Sequence, residues 1–295
     1  MVLNSNKIRF CFYGLLLLCF VLGGIDDSVA QEKYKDKDKD KNKSYYSKGF
    51  CSDNWSNGDK VSGRDLREMT VSGSSLTVDG KRNGGIRVTG ENRSDILIRA
   101  CINTWGNTEA EAQSLAKSIR IETSGTVQAE GVSEETNWSV SYQILVPRNT
   151  NLKLTTMNGG ISIENVEGTI EFDAKNGGIH LSNLAGDVRG RTTNGGLHIE
   201  LAGNTWKGNG IDVETTNGGV HLSMAANYAA RFETRTVNGG FKSDIAGLEV
   251  EKQKDANGYR RQGVNISRDL NGGGALVRVV TTNGGVHIDS DSANL

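Results

Sequence analysis

The sequence predicts an all-β fold: a single-chain β-solenoid of stacked Asn-Gly-Gly coils with an N-terminal cap containing one short helix. Three observations predict it. The tripeptide Asn-Gly-Gly returns at Asn158, Asn176, Asn194, Asn217, Asn238 and Asn283, in steps of 18, 18, 23, 21 and 45 residues, and self-similarity at such a period marks a repeat architecture. Between the returns, Ile161, Ile163, Ile170, Phe172 and Ala174 alternate with Ser162, Glu164, Glu171 and Asp173. That is the period-2 pattern of short strands with one buried face. The joints are rich in Gly, which takes positive φ without steric cost, and in Asn, which tolerates it better than most residues.

The usual frame is Thr-x-Asn-Gly-Gly-(Ile/Leu/Val)-His-(Ile/Leu). Asn-Gly also favours the two-residue turn of a hairpin, so an antiparallel meander is the alternative. A meander gives no reason for identical residues to recur turn after turn. Stacked coils do: asparagines set one above another at about 4.8 Å can bond amide to amide in a ladder. Thr156, Thr193, Thr216 and Thr282 are expected to stack alongside.

From the N-terminus, residues 1–30 read as a signal peptide. Lys7 and Arg9 precede the apolar run Phe10–Val21, and Ser28-Val29-Ala30 supplies small residues for cleavage. The run is short for a membrane span of about 20 residues. Cys19 resembles a lipoprotein site only faintly, because the preceding Leu18 is bulky. Residues 31–48 are a Lys/Asp tract in which seven lysines against four carboxylates leave +3. With nothing to bury, such a tract is expected to be a disordered linker.

Residues 49–147 are expected to hold the N-terminal strands and cap, and 148–295 the repeats. Short strands are predicted at 76–78, 86–88 and 96–98, with an early Asn83-Gly84-Gly85 turn. Thr108 and Glu111 form a capping box that opens a helix over 110–119. Strands near 119–123, 126–129 and 138–146 follow, and the only proline, Pro147, precedes the repeats. A cap is needed because an exposed edge strand recruits other chains. The charged run 248–262 reads as an insertion in the coil that spans Asn238 to Asn283. Asn271-Gly272-Gly273-Gly274 would be the opposite turn of that coil.

The chain carries a net charge of −1, so no global field argues for nucleic acid. Of four cysteines, Cys51 and Cys101 would remain after signal removal, and two cysteines in an exported domain predict one disulfide. All four histidines, His180, His198, His221 and His287, fall two residues after the second glycine of a turn. Flanked by inward Ile179 and Leu181, His180 points outward, and the others follow by register. His180, His198 and His221 with Glu200 are therefore candidate metal ligands, since stacked imidazoles beside a carboxylate suit a transition metal. The competing reading is an exposed strand position that also accepts Ser162 and Lys242. No cofactor is expected. Hydrolase, zinc-protease and phosphate-loop motifs are missing from the sequence.

The Thr-x-Asn-Gly-Gly-(hydrophobic)-x-(hydrophobic) coils, preceded by Tyr142-Gln143-Ile144-Leu145-Val146-Pro147, resemble a bacterial adhesin-labelled family of β-strand-repeat domains of unknown function. The resemblance spans roughly residues 70–290. It implies an exported bacterial solenoid and brings no catalytic residues with it. The expected function is an exported, non-enzymatic, adhesin-like binding or structural module. It would present flat faces to an envelope polymer or a surface protein, with no transmembrane anchor after signal removal. The alternatives are an envelope-stress sensing domain and a polysaccharide-processing enzyme on a β-helix.

Overall fold

The computed structural model describes residues 50–51, 60–131, 137–249 and 263–290. The expected signal peptide, the Lys/Asp tract and most of the charged insertion lie outside them. The described chain is mostly β, with two ten-stranded sheets and one helix. No helix among the described residues is long and apolar enough to cross a membrane.

The N-terminal part runs β1 (Val61–Val71), β2 (Ser75–Asp79), β3 (Ile86–Glu91), β4 (Ile96–Gly106), α1 (Glu109–Ser118), β5 (Arg120–Glu122), β6 (Thr126–Glu130) and β7 (Trp138–Pro147). Then come β8 (Asn151–Thr156), β9 (Ile161–Glu164), β10 (Glu167–Asn176), β11 (Ile179–Ser182), β12 (Ala185–Asn194), β13 (Leu197–Glu200), β14 (Gly210–Asn217) and β15 (Val220–Met224). The chain closes with β16 (Ala230–Asn238), β17 (Phe241–Ser243), β18 (Val264–Leu270), β19 (Leu276–Asn283) and β20 (Val286–Ser290). The first sheet is ordered β1-β4-β7-β3-β9-β11-β13-β15-β20-β17, and the second β18-β16-β19-β14-β12-β10-β8-β2-β6-β5.

Each Asn-Gly-Gly carries the chain from a strand of the second sheet to a strand of the first. β9 and β10 lie in different sheets, and β10 pairs in parallel with β12, residue for residue, eighteen positions on. The antiparallel meander is thereby excluded for these residues. Ile161, Ile163, Ile170, Phe172 and Ala174 are all buried between the sheets, as their alternation predicts. Gly190 stands in register with Phe172, where a Cβ would lie 2.4 Å from the ring, so the missing side chain makes room for the large neighbour.

The stacking order departs from the chain order. β19 pairs in parallel with both β14 and β16, and β20 with both β15 and β17, so the last unit of the sequence inserts between the two before it. The cause is β18, which runs back antiparallel along the far edge of β16. With that edge occupied, the returning chain turns at Asn271–Gly274, where all four residues have positive φ, and fills the other edge as β19. The early Asn83-Gly84-Gly85 likewise joins the stack, because β2 and β3 pair in parallel with β8 and β9.

At the opposite end the pairing becomes antiparallel, β1 to β4 and β4 to β7. Helix α1 starts one residue earlier than its sequence signal. The Thr108 hydroxyl accepts from the Glu111 amide at 3.2 Å, while the Glu111 carboxylate accepts from the Asn107 amide at 2.9 Å, so both N-terminal donors are satisfied. Its last carbonyls are met from β1, where the Arg67 guanidinium donates to Ala116 at 3.0 Å and also to Ile119. Cys51 and Cys101 are disulfide-bonded across a Cα separation of 5.3 Å.

Candidate functional site

Every residue of the Asn-Gly-Gly turn has a distinct physical task. The asparagine amides form one ladder of hydrogen bonds: Asn158 to Asn83 at 3.1 Å, Asn176 to Asn158 and Asn194 to Asn176 at 2.7 Å, and Asn217 to Asn194 at 2.8 Å. It continues from Asn283 to Asn217 and from Asn238 to Asn283, both at 2.7 Å. All six positions singled out from the sequence are in it, joined by Asn83. The first glycine of each turn lies against the turn below it. A Cβ on Gly177 would fall 2.0 Å from the carbonyl oxygen of Gly159. The second glycine faces solvent, and a Cβ on Gly178 would meet nothing nearer than 3.8 Å.

The threonine row differs from expectation by one residue. The buried threonines that bond the turns are Thr156, Thr192, Thr215, Thr236 and Thr281, each donating to the first-glycine carbonyl of the neighbouring turn at 2.7–2.9 Å. Thr193 and Thr216 are exposed and Thr282 is half-buried. The period of two settles this: a residue adjacent to asparagine points the other way from one two places before it.

The outer face of the first sheet carries three parallel rows. The second glycines, Gly178, Gly196, Gly219, Gly285 and Gly240, form a bare strip of backbone. Beside it stand Ser162, His180, His198, His221, His287 and Lys242, in register on β9, β11, β13, β15, β20 and β17. Beyond them lie Glu164, Ser182, Glu200, Ser223 and Asp289. The glycine and histidine rows together bound an open groove of about 770 Å³. Successive imidazole centroids lie 5.0, 4.8 and 5.5 Å apart.

The structure places His180, His198, His221 and Glu200 on one outer face. His287 and Asp289, which the sequence placed on the same outer face but outside the candidate ligand set, stand beside His221. Asp289 bridges two histidines, at 2.5 Å from His221 Nε2 and 2.6 Å from His287 Nε2, and Glu200 lies 3.3 Å from His198 Nε2. Partial burial works against ionisation of Glu200, but hydrogen bonds from Ser182 and His198 and the nearby imidazoles outweigh it and hold its carboxyl below the usual range. An ionised carboxylate only accepts, which assigns His198 Nε2 as the donor to Glu200. Among the described residues, no group of three or more His, Cys, Asp or Glu side chains is arranged to hold a metal ion.

The second sheet shows a different face. Lys153, Glu171, Arg189, Asp212, Arg278 and Glu233 stand in register on six neighbouring strands and alternate in sign. All of these but Glu233, together with Asp173, Arg191 and Glu214, line a groove of about 460 Å³. Arg191 pairs with Asp173 at 2.9 Å, and Arg278 pairs with Asp212.

The family model described as Toastrack DUF4097 matches residues 56–289. No curated protein matches the chain. Among solved structures, a protein from Clostridium sporogenes ATCC 15579 named for cell adhesion is similar at 11% identity, over 78% of this chain and 100% of that one, with a TM-score of 0.42. One from Bacteroides fragilis NCTC 9343, named for adhesin function, is 11% identical over 77% of this chain and 97% of its own, at a TM-score of 0.27. A third, from Parabacteroides distasonis ATCC 8503 and named for lipid binding, is 9% identical over 77% of this chain and 96% of its own, also at 0.27.

Proposed function

The chain belongs to the Toastrack DUF4097 family, and from that premise we propose that it is an exported, non-enzymatic module that binds surface polymers through one face of a β-solenoid. In this reading each strand–Asn-Gly-Gly–strand unit is one coil, and β1, β4, β5 and α1 form the N-terminal cap. The observation that carries it is the groove of bare glycine backbone and stacked histidines on the first sheet. A partner laid across the strands meets the same residue types at every step of about 4.8 Å, which suits a polymer of repeating units. The glycine strip lets such a polymer approach the backbone closely.

Gly178→Trp tests this, because the ring would stand in the groove while the backbone position tolerates a side chain. The wild-type protein should be retained by immobilised envelope glycans and the variant should not. Equal retention would remove the groove from the account.

A second reading is favoured by the charged groove on the other sheet, since clustered Asp, Glu, Arg and Lys are what a polysaccharide-processing β-helix would need. Two of its carboxylates are engaged by arginines, as in an ordinary exposed ion-pair array. Incubating the wild type with the same glycans should release no new reducing or unsaturated ends. Release that is lost in Asp212→Asn or Glu214→Gln would establish the enzyme instead.

A further inference from the structure

The first sheet ends on a long strand with one open side. β1 has eleven residues and pairs with β4 without a bulge, from Val61 opposite Gly106 to Val71 opposite Ile96. The other three terminal strands are shorter, with three residues in β5, three in β17 and seven in β18. Among the described residues, no strand pairs with the far side of β1. The ladder fixes which groups face that side. The Trp105 amide donates to the Asn137 carbonyl just before β7, so odd-numbered residues of β4 bond towards β7 and even-numbered ones towards β1. Their partners on β1 are its odd-numbered residues. The N–H and C=O groups of Ser62, Arg64, Leu66, Glu68 and Thr70 therefore point out from the sheet edge. Leu66 stands at the middle of the strand and is 47% exposed. Around it the charges run Arg64, Asp65, Arg67, Glu68.

We propose that β1 pairs edge to edge with β1 of a second copy of this chain, antiparallel and centred on Leu66, to form a two-fold dimer. The charged run is complementary to itself in that arrangement. Arg64 meets the partner's Glu68, and Asp65 meets the partner's Arg67. All eleven residues overlap, and the outward groups fall opposite one another: Ser62 and the partner's Thr70, Arg64 and the partner's Glu68, Leu66 and the partner's Leu66. A slip of one residue opposes these groups to residues whose own N–H and C=O face β4. Centring the pair on Arg64, Asp65, Arg67 or Glu68 instead sets that residue against its own charge, which destabilises a cross-strand pair. One register is left. Gly63 and Arg67 touch α1 on the inner side, so Leu66 and Glu68 face outward. Glu68 is in register with Arg99, Gln143, Arg87 and Ser162, on the outer face that carries the histidine row. The two-fold axis is normal to the sheet, so the dimer displays both outer faces on one side, the geometry for bivalent attachment. Pairing through β1 does not depend on what those faces bind.

Sedimentation velocity over a range of protein concentrations tests this. The wild type should pass from monomer to dimer as its concentration rises. Arg64→Glu leaves the Glu68–Arg99 pair at 2.7 Å in place and opposes like charges at two points of the dimer, so it should weaken association at least about tenfold. Glu68→Arg should do the same. Arg64→Glu/Glu68→Arg restores opposite charges in the same register and should recover most of the wild-type association, with circular dichroism unchanged in all three variants. Hydrogen exchange of the wild type gives an independent reading. The amides of Leu66 and Glu68 should slow as the dimer forms, whereas those of Arg67 and Met69, bonded to β4, should be protected at every dilution. A monomer at all concentrations, a dimer indifferent to the single reversals, or a double reversal as weak as the singles would overturn the proposal. So would protection of the Leu66 and Glu68 amides in the dilute monomer, which would mean that another segment of the chain covers the edge.

Discussion

At the scale of single residues, the turn assigns its two glycines opposite tasks. Gly177 packs against the Gly159 carbonyl, so Gly177→Ala forces the stack apart and should cost about 1–3 kcal/mol. Gly178→Ala, one position on, adds a methyl group to open surface and should change stability by less than about 0.5 kcal/mol. Urea unfolding of the pair measures the contrast, and equal effects would mean the turns are not stacked as described. Glu200 gives a pH dependence with a definite sign. Its carboxyl is held below the ordinary value of 4.5 despite partial burial, so the native state favours the ionised form. The stabilisation is present above the unfolded-state value and is lost as pH falls through the lower native one. Wild type should therefore exceed Glu200→Gln in stability near neutrality, and the gap should close at pH values below the native titration. A gap that widens on acidification would contradict the assignment.

At the scale of the element, the repeat unit joins a chemically fragile dipeptide to a rigid setting. Asn-Gly deamidates when the glycine nitrogen attacks the asparagine Cγ, expelling ammonia, and water then opens the resulting succinimide to Asp or isoaspartate. Here the backbone N–H groups of Gly177, Gly195, Gly218 and Gly284 are bonded to the asparagine carbonyls of neighbouring units at 3.0–3.2 Å. Their preceding asparagines are held in the amide ladder. Peptide mapping after prolonged incubation at mildly alkaline pH should find Asn176, Asn194, Asn217 and Asn283 intact in the folded protein and modified in the urea-unfolded chain. Comparable rates in both states would show that the ladder confers no protection.

At the scale of the molecule, the last unit is an internal layer. Removing residues 264–295 should therefore unfold β16 and β17 as well, because among the described residues these two strands are paired to the rest of the sheets only through β19 and β20. Limited proteolysis would read this as cleavage throughout 230–243, whereas a stack in chain order would survive with a trimmed end. At the other end, the disulfide closes a loop of 50 residues, worth about 4 kcal/mol in the chain-entropy model. Cys51→Ser/Cys101→Ser should lower the midpoint of thermal unfolding accordingly, and mass spectrometry without reductant should find no free thiol in the wild type.

The sequence by itself determined whatever depends on local period. The alternation of Ile161, Ile163, Ile170 and Phe172 placed the core, the recurring Asn-Gly-Gly marked the turns, and the fixed slot of the histidines put them on one outer face. These properties belong to a strand and its immediate turn, and a period of two leaves only two faces to choose between. Tertiary structure alone decided which strands are neighbours. Pairing edges look alike along the chain, so nothing local tells β14 that its next partner is β19 and not β16; the antiparallel return of β18 settles it by occupying one edge of β16. That choice places His287 and Asp289 against His221 and completes the row, across 66 residues of sequence that separate Asn217 from Asn283 in adjacent turns.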